Sequence, residues 1–171
     1  MSTIMAKMTI NPEPRGTTFI IGPWNFPINC LLRPLCSAIA SGCTAVIKPS
    51  EVAINTCRLL IELVPLYLDK EAFPIVFANG PETASLLENY RFDLVFFTGS
   101  SHIGKLVYQA AAAHLTPVVL ELGGKNPVWV DESADLDNAA KVLFIVDSRS
   151  YSFVENHVGK VHKYRPNLPG A

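Results

Sequence analysis

The stretch "DLVFFTGSSHIGKLVYQAAAAHLTPVVLELGG", Asp93 to Gly124, contains the pattern that decides the fold. An apolar run, "LVFF", leads to Gly99, and two serines then open a segment of high helix propensity that lasts to His114. A second apolar run, "PVVLE", follows that segment. The order strand, helix, strand, with strands that are apolar throughout, predicts a parallel sheet covered by helices on both faces.

The same alternation continues on both sides of this stretch. The further predicted strands are "TTFII", "TAVIK" and "PVWV". The further predicted helices are "LLRPLCSAIASG" with Gly42 at its end, "CRLLIELVPLYL", a short helix around "ETASLLENY", and Ser133 to Phe144. A Rossmann-like α/β fold, with helices on both faces of a parallel sheet, is therefore the predicted architecture.

The composition excludes several classes of function. The 171 residues carry 14 basic and 15 acidic side chains, and this net charge of −1 does not favour a nucleic-acid partner or an anionic membrane. The apolar region from Phe19 to Ile47 is interrupted by prolines and by Arg33, so we expect no membrane-spanning segment. We also expect no signal peptide at the N-terminus, because no continuous apolar run follows its lysine.

The cysteines all lie in the first third of the sequence, at Cys30, Cys36, Cys43 and Cys57. None of them has C-x-x-C spacing and the histidines come much later, so we predict no metal site. Reduced, buried thiols indicate a reducing compartment, and we expect a cytoplasmic location.

The segment "FFTGSSHIGK" places a glycine, two serines and a helix directly after a buried strand. Such a junction points backbone N–H groups and the positive end of the helix at an anion. Gly99 to Lys105 also matches most of a P-loop, but Leu106 stands where a triphosphatase needs a hydroxyl for magnesium. A dinucleotide pyrophosphate needs no magnesium and fits better. The remaining alternative is a well-capped helix that binds no ligand.

Three further segments carry polar residues where predicted strands end. In "GPWNFP" prolines and aromatic residues fix Asn25, whose amide could donate to an oxyanion or to the backbone of its own turn. In "VIKPSE" Lys48 and Glu51 could bind ribose hydroxyls at the sheet edge, or could form a solvated helix start. In "VVLELGG" Glu121 is a carboxylate in a strand predicted to be buried, which is costly unless the group has a partner or a chemical role.

The segments GPWNFP, KPSE, FTGS and ELGGK, in this order and spacing, resemble the aldehyde dehydrogenase superfamily. The resemblance covers roughly Pro14 to Phe144. Within the superfamily, the sequence resembles the class that oxidises fatty and aromatic aldehydes. It implies an N-terminal extension over 1–16, an NAD(P)-binding domain over 17–144 and a divergent tail over 145–171. The family lacks the usual G-x-G-x-x-G fingerprint, and its absence here does not count against a cofactor.

The resemblance also implies roles for particular residues. Asn25 would stabilise the oxyanion and Glu121 would be the general base that activates a thiol or the deacylating water. Lys48 and Glu51 would bind the adenosine ribose of NAD, with Lys48 also able to meet the 2′-phosphate of NADP. The predicted cofactor-binding residues are Pro23, Trp24, Lys48, Ser50, Glu51, Gly99, Ser100, Gly104, Leu122 and Gly123, with Gly124 beside them giving the backbone close access to the nicotinamide.

The nucleophilic cysteine of the family should follow Glu121, in the region of Val154 to Asn156, but no cysteine occurs after Cys57. The four earlier cysteines are expected to pack in the core and not to replace it. We therefore expect a truncated chain that lacks the catalytic cysteine and does not oxidise aldehydes through a thioester. The alternative function is a non-catalytic dinucleotide-binding or subunit-interaction fragment that associates with full-length aldehyde dehydrogenase subunits.

Overall fold

A computed structural model describes residues 9–124, 128–131 and 133–148, with side-chain surroundings up to residue 142, and shows a sheet of four parallel strands. The strands are β1 (Thr17–Ile21), β2 (Thr44–Lys48), β3 (Leu94–Gly99) and β4 (Val118–Leu122). The helices are α1 (Asn29–Ala40), α2 (Ile54–Tyr67), α3 (Gly80–Asn89), α4 (Ser101–Ala112) and α5 (Leu136–Ser148). The chain forms two compact units, of which the first ends at Leu122 and the second begins at Gly123.

The strands lie in the order β2-β1-β3-β4, so β1 and β3 are central. On its outer side β2 has a short extra partner, because Ile47 forms a parallel bridge with Ile75. Two backbone hydrogen bonds support this bridge, from Ile47 N to Pro74 O at 2.9 Å and from Val76 N to Ile47 O at 2.8 Å. In the described part of the chain β4 pairs with β3 alone, so the two ends of the sheet are not equivalent.

Alternation along the strands divides the core into two layers. We call the side covered by α1 and α2 the α1 face and the side covered by α3 and α4 the α4 face. The α1 face buries Ile20, Ala45, Ile47, Leu31, Leu35, Leu60 and Val64. The α4 face buries Phe19, Ile21, Val95, Phe97, Leu87, Phe92, Val107 and Ala111. Each fully buried aliphatic or aromatic side chain contributes about 1.5–3 kcal/mol, so both layers stabilise the sheet substantially.

Local sequence explains where the helices begin and end. α3 starts with a capping box, in which Asn79 Oδ1 accepts from Glu82 N at 3.0 Å and Glu82 Oε2 accepts from Asn79 N at 2.8 Å. Gly42 follows the C-cap of α1 with φ of +75°, a left-handed conformation that glycine adopts without strain. The predicted role of Gly42 as the end of this helix is therefore confirmed.

The predicted α/β class with a parallel sheet is confirmed, but two local predictions are wrong. Residues 128–130 of the predicted strand "PVWV" are not a strand, and Pro127 lies outside the described residues. The last helix begins at Leu136 and not at Ser133, because Asp135 Oδ1 accepts from Asp137 N and Asn138 N at 3.0 and 3.2 Å and so caps it there. None of the described helices combines the length and the apolar character that crossing a bilayer requires.

Candidate functional site

The predicted site residues gather at the carboxyl ends of the strands. Lys48 at the end of β2 pairs in register with Ile21 at the end of β1, and the following Gly22 N donates to Lys48 O at 3.0 Å. Gly99 at the end of β3 pairs with Leu122 at the end of β4. Parallel α/β sheets bind ligands at this edge, outside the carboxyl ends of their strands. The fold therefore brings together residues that are far apart in the sequence.

An ion pair stands at the β2 end of this edge. Lys48 Nζ lies 2.5 Å from Glu51 Oε2, the lysine is 5% exposed, and the side chain of the glutamate is 36% exposed. Pro49 and Ser50 between them are also buried, and Ser50 Oγ accepts a hydrogen bond from Val52 N at 3.3 Å. The alternative of a solvated helix start does not hold for Lys48, because its charge is withdrawn from water and held in one direction.

The protonation of Glu51 follows from this contact. Burial alone would raise the pKa of the Glu51 carboxyl, but the hydrogen bond and the positive charge of Lys48, with a backbone N–H, lower it overall. A carboxylate held in its charged form accepts hydrogen bonds from hydroxyl groups, and the ammonium beside it donates them. This pair can therefore recognise a diol such as that of a ribose.

The amino end of α4 lies at the end of β3. Ser100 is its N-cap and Ser100 Oγ accepts from Ile103 N at 3.3 Å. Backbone N–H groups of Ser101 and His102 have no hydrogen bond to another described residue, and no acidic residue occupies the first turn. Two open N–H groups at the positive end of a helix suit an anion, so this junction fits a pyrophosphate.

The P-loop alternative is weakened by the position of the second glycine. In a P-loop the residues between the glycines form a loop whose N–H groups surround the phosphates. Here Ser101 to Gly104 already belong to α4, and Gly104 is buried against the sheet. Leu106, where a triphosphatase needs a hydroxyl, is half exposed on the same helix. A dinucleotide fits the geometry better than a nucleoside triphosphate with magnesium.

The loop "GPWNFP" connects β1 to α1. Gly22 and Pro23 are buried, Asn25 is half-buried, and Trp24 and Phe26 are exposed. A methyl carbon on Gly22 would lie 2.5 Å from Leu31 Cγ, so only glycine lets α1 pack this closely on the loop. Gly22 was not predicted from the sequence as a site residue; its position directly after a strand and before a proline was the available signal.

Glu121 lies on β4 and is exposed, which corrects the expectation that its strand is buried. The reason is that β4 lies at the edge of the sheet formed by the described residues, where Val119, Glu121 and Leu122 all retain contact with solvent. Glu121 pairs in register with Thr98 of β3, and its side chain points to the α1 face. Gly123 and Gly124 directly follow the strand and are exposed.

Cys30, in the first turn of α1, shares this space with Glu121. Burial raises the pKa of the Cys30 thiol, the charge of Arg33 lowers it, and the charge of Glu121 raises it, so that the overall shift is upward. A thiol that holds its proton more tightly than usual is a weak nucleophile. The nearness of Cys30 to Glu121 was not predicted, because it depends on how α1 packs across the sheet.

The other cysteines are no better placed as nucleophiles. Burial raises the pKa of Cys57. Cys36 is exposed on α1 and Cys30 is half-buried, so the expectation that all four cysteines pack in the core is wrong for these two. The hydrogen bond from Ser41 Oγ at 3.4 Å lowers the pKa of Cys43. However, Cys43 precedes β2 and lines a groove of about 420 Å³ at the amino ends of the strands, away from Glu121. In the described part of the chain no three His, Cys, Asp or Glu side chains are grouped closely enough to hold a metal ion.

Comparison with known proteins gives one consistent family. The model of the aldehyde dehydrogenase family matches residues 3–148. Mouse aldehyde dehydrogenase family 3 member A2 is 48% identical over 139 residues, 81% of this chain and 28% of its own length. Human aldehyde dehydrogenase family 3 member B1 is 48% identical over 140 residues, 82% of this chain and 30% of its own length.

Solved structures with the same fold agree. The substrate-bound state of Staphylococcus aureus AldH superposes with a TM-score of 0.71 and 43% identity, over 80% of this chain and 30% of that one. A mutant aldehyde dehydrogenase C from Pseudomonas syringae, in complex with NAD+ and octanal, superposes with a TM-score of 0.66 and 39% identity, over 74% and 27%. The chain thus spans less than a third of the length of these relatives.

Proposed function

Because the chain belongs to the aldehyde dehydrogenase family, we propose that it forms the dinucleotide-binding part of an enzyme that oxidises aldehydes to carboxylic acids. The observation that carries this proposal is the pair of buried Lys48 and partly exposed Glu51 at the carboxyl edge, on the same edge as the amino end of α4. The similarity to family 3 members favours fatty and aromatic aldehydes as the substrate class.

The residues at this edge fit NAD in two places. The Lys48–Glu51 pair presents one donor group and one acceptor group to the hydroxyls of the adenosine ribose. The N–H groups of Ser101 and His102, next to Gly99 and Ser100, suit the pyrophosphate. The bound cofactor supplies the hydride acceptor for the oxidation.

Glu51 favours NAD over NADP. Its carboxylate is kept charged by Lys48 and is partly exposed. It would therefore present a negative charge to a ligand bound at this edge. The 2′-phosphate of NADP would meet this charge at close range and would compete with Glu51 for Lys48. A free ribose hydroxyl donates to the carboxylate instead, as in other dinucleotide folds.

Asn25 and Glu121 are proposed to act on the substrate side. The half-buried Asn25 can donate an amide N–H to a developing oxyanion, which removes part of the cost of charge separation. The exposed Glu121 can take a proton from a thiol or water and pass it to solvent. Asn25 follows β1 in the loop to α1, and Glu121 lies one residue before the end of β4 in the same sheet.

The thioester step is not provided by the cysteines of this sequence. All of them precede Glu121, and the one that shares its space, Cys30, has a raised pKa. This observation favours a second candidate function, that of a non-catalytic dinucleotide-binding or subunit-interaction chain. In that case the chain binds NAD and associates with full-length aldehyde dehydrogenase subunits without turnover of its own.

Formation of NADH from NAD with an aliphatic and an aromatic aldehyde separates the two candidates. We expect no sustained NADH formation by the chain alone, and co-purification with a co-expressed full-length family 3 enzyme if it associates with subunits. Turnover by the chain alone that is abolished by Glu121→Gln would overturn the non-catalytic hypothesis.

The cytoplasmic location also stays a proposal, and fractionation of cells that express the protein tests it.

A further inference from the structure

The groove of about 420 Å³ at the amino ends of the strands lies on the α1 face, at the opposite edge of the sheet from the proposed cofactor site. Much of its lining is apolar, from Pro34, Ala38, Leu94, Phe96 and Val119. The exposed side chains of Glu13, Arg15 and Ser37 also line it, so the groove is open to solvent. A cavity of this size and lining can hold a small organic molecule.

The hydroxyl of Thr18 in this groove lacks a partner. Thr18 is 5% exposed and, like Ile20 two positions later, points to the α1 face. Within residues 9–124, 128–131 and 133–148 this hydroxyl forms no hydrogen bond, whereas the hydroxyl of Thr17 shares one with Thr44 Oγ1 at 2.9 Å. A buried hydroxyl without a partner is destabilising, and an acceptor atom of a molecule in the groove would remove that cost.

Cys43 brings a thiol to the same groove. It directly precedes β2 and is 6% exposed. Ser41 Oγ donates to Cys43 Sγ at 3.4 Å, and this hydrogen bond, with those from the backbone at Gly16 and Arg15, lowers the pKa of the thiol despite its burial and the charge of Asp93. The thiolate is the nucleophilic form of cysteine. The groove thus combines a nucleophile, a hydroxyl that can donate, and an apolar surface.

We propose that Cys43 is a covalent modification site for α,β-unsaturated aldehydes with an alkyl tail, which bind with the tail on the apolar lining of the groove and the carbonyl oxygen on the hydroxyl of Thr18. The sulfur of the thiolate forms a bond to the β carbon of the alkenal. The electron pair of the C=C bond moves to the α carbon, which takes a proton from water in place of the one that the thiol has released. The aldehyde group is retained, and nothing is oxidised, reduced or expelled. This site goes beyond the proposed function and does not rest on it.

The lining of the groove favours this class over other thiol reagents. A neutral carbonyl oxygen accepts the one hydrogen bond that Thr18 can donate, and an alkyl tail removes apolar surface from water. A peptide disulfide such as oxidised glutathione carries several carboxylates. These would meet the carboxylate of Glu13 and would find one guanidinium, that of Arg15, among the residues that line the groove.

The test follows adduct formation on the full chain with trans-2-nonenal. Borohydride reduces the aldehyde of the adduct, and tandem mass spectrometry then locates it on each cysteine. The reference is 2-propenal, which has the same reactive group without a tail, and the exposed Cys36 is the internal standard. We expect the ratio of the Cys43 rate to the Cys36 rate to be at least about tenfold higher with nonenal than with propenal, because the groove covers part of the tail.

Thr18→Val tests the role of the hydroxyl. Valine keeps the shape of the side chain and leaves no buried donor behind, so the variant should fold. We expect it to slow the reaction of Cys43 with nonenal by about three- to tenfold, as the loss of one hydrogen bond would produce. Thr44→Val removes an exposed hydroxyl beside Cys43 that does not line the groove. It is the matched control and should leave the rate unchanged.

Equal ratios of the Cys43 and Cys36 rates with the two alkenals would overturn the proposal, as would a wild-type Cys43 rate in folded Thr18→Val. A stronger preference for Cys43 over Cys36 with oxidised glutathione than with nonenal would assign the groove to peptide disulfides and would overturn it too. If Thr18→Val does not fold, the comparison of the two alkenals on the wild-type chain still decides.

Discussion

The two ends of the sheet differ in how completely the described residues enclose them. At the β2 end, Ile75 bridges the outer side of the strand, and Lys48 is buried and paired with Glu51. At the β4 end the strand pairs with β3 alone within the described part of the chain, and Glu121 is exposed. The β2 end of the carboxyl edge is therefore enclosed by residues of this unit, whereas the β4 end is open among the residues that the structure describes.

This difference explains why the two sides have different chemistry available. An ion pair whose lysine is buried is held in one geometry, so it is preorganised to select a ligand by shape and charge. An exposed carboxylate exchanges protons with water and has no fixed partner in the described residues. We infer that binding of the dinucleotide is the property of this chain that depends least on anything outside it.

The largest predicted effect compares one aliphatic residue at each end of the α1 face. Ile47 of β2 is 1% exposed and Val119 of β4 is 39% exposed. Ile47→Ala should lower the free energy of unfolding by about 2–5 kcal/mol because it leaves a cavity. Val119→Ala should lower it by less than about 1 kcal/mol, since little apolar surface is uncovered. Urea denaturation followed by circular dichroism measures both variants. Equal losses of unfolding free energy would contradict the proposed difference between the two ends of the sheet.

The next effect concerns the choice of cofactor at the β2 end. Glu51→Gln removes the negative charge that opposes a 2′-phosphate and leaves a side chain of the same shape. We expect the ratio of NADP affinity to NAD affinity to rise roughly tenfold, as the loss of one close like-charge contact would produce. Calorimetric titration of both cofactors measures the ratio. Glu82→Gln, at the capping box of α3, is the control and should leave it unchanged.

A smaller effect should appear as the pH dependence of stability. The pKa of Glu51 is lowered in the folded chain, so its contribution is fully present above the pKa of an unfolded glutamate, about 4.3. It is lost as the pH falls through the lower folded value. The loss should not exceed about 1 kcal/mol, because the carboxyl is partly exposed. Melting curves of wild type and Glu51→Gln should converge in acid, and a constant difference would contradict this assignment.

The smallest effect is predicted for Glu121 at the β4 end. Glu121→Gln should change the free energy of unfolding by less than about 0.5 kcal/mol, since an exposed side chain on an edge strand contributes little. The same urea denaturation used for Ile47→Ala measures it. A loss of several kcal/mol would mean that Glu121 is a structural carboxylate with a buried partner. The conclusion that the β4 end of the sheet is open would then be wrong.

Local patterns predicted the polar arrangements that follow β2 and β3 well. Lys48 and Glu51 lie three positions apart, and the Ser100 cap of α4 directly follows β3, so the sequence itself contains these arrangements. The parallel sheet followed from apolar strands that alternate with helices. The helix around "ETASLLENY" was predicted too, and its capping box at Asn79 explains where it starts.

The remaining features depend on packing between distant segments. The exposure of Glu121 depends on which strand lies at the edge, and the sequence of a strand does not state its place in the sheet. The contacts of Gly22 with Leu31 and of Gly104 with Leu122 depend on how closely each helix approaches the sheet. For residues 128–130 the apolar pattern was compatible with a strand, but no neighbouring strand pairs with them in the described part.

The central claim, that this chain holds a dinucleotide at its Lys48–Glu51 edge, is tested most directly by calorimetric titration with NAD. We predict saturable binding by the wild-type chain, and an affinity at least about tenfold lower in Lys48→Met, which keeps the length of the side chain but removes its charge and its donors. Circular dichroism confirms that both proteins are folded. A folded wild-type chain that does not bind NAD, or binding that Lys48→Met leaves unchanged, would contradict the account.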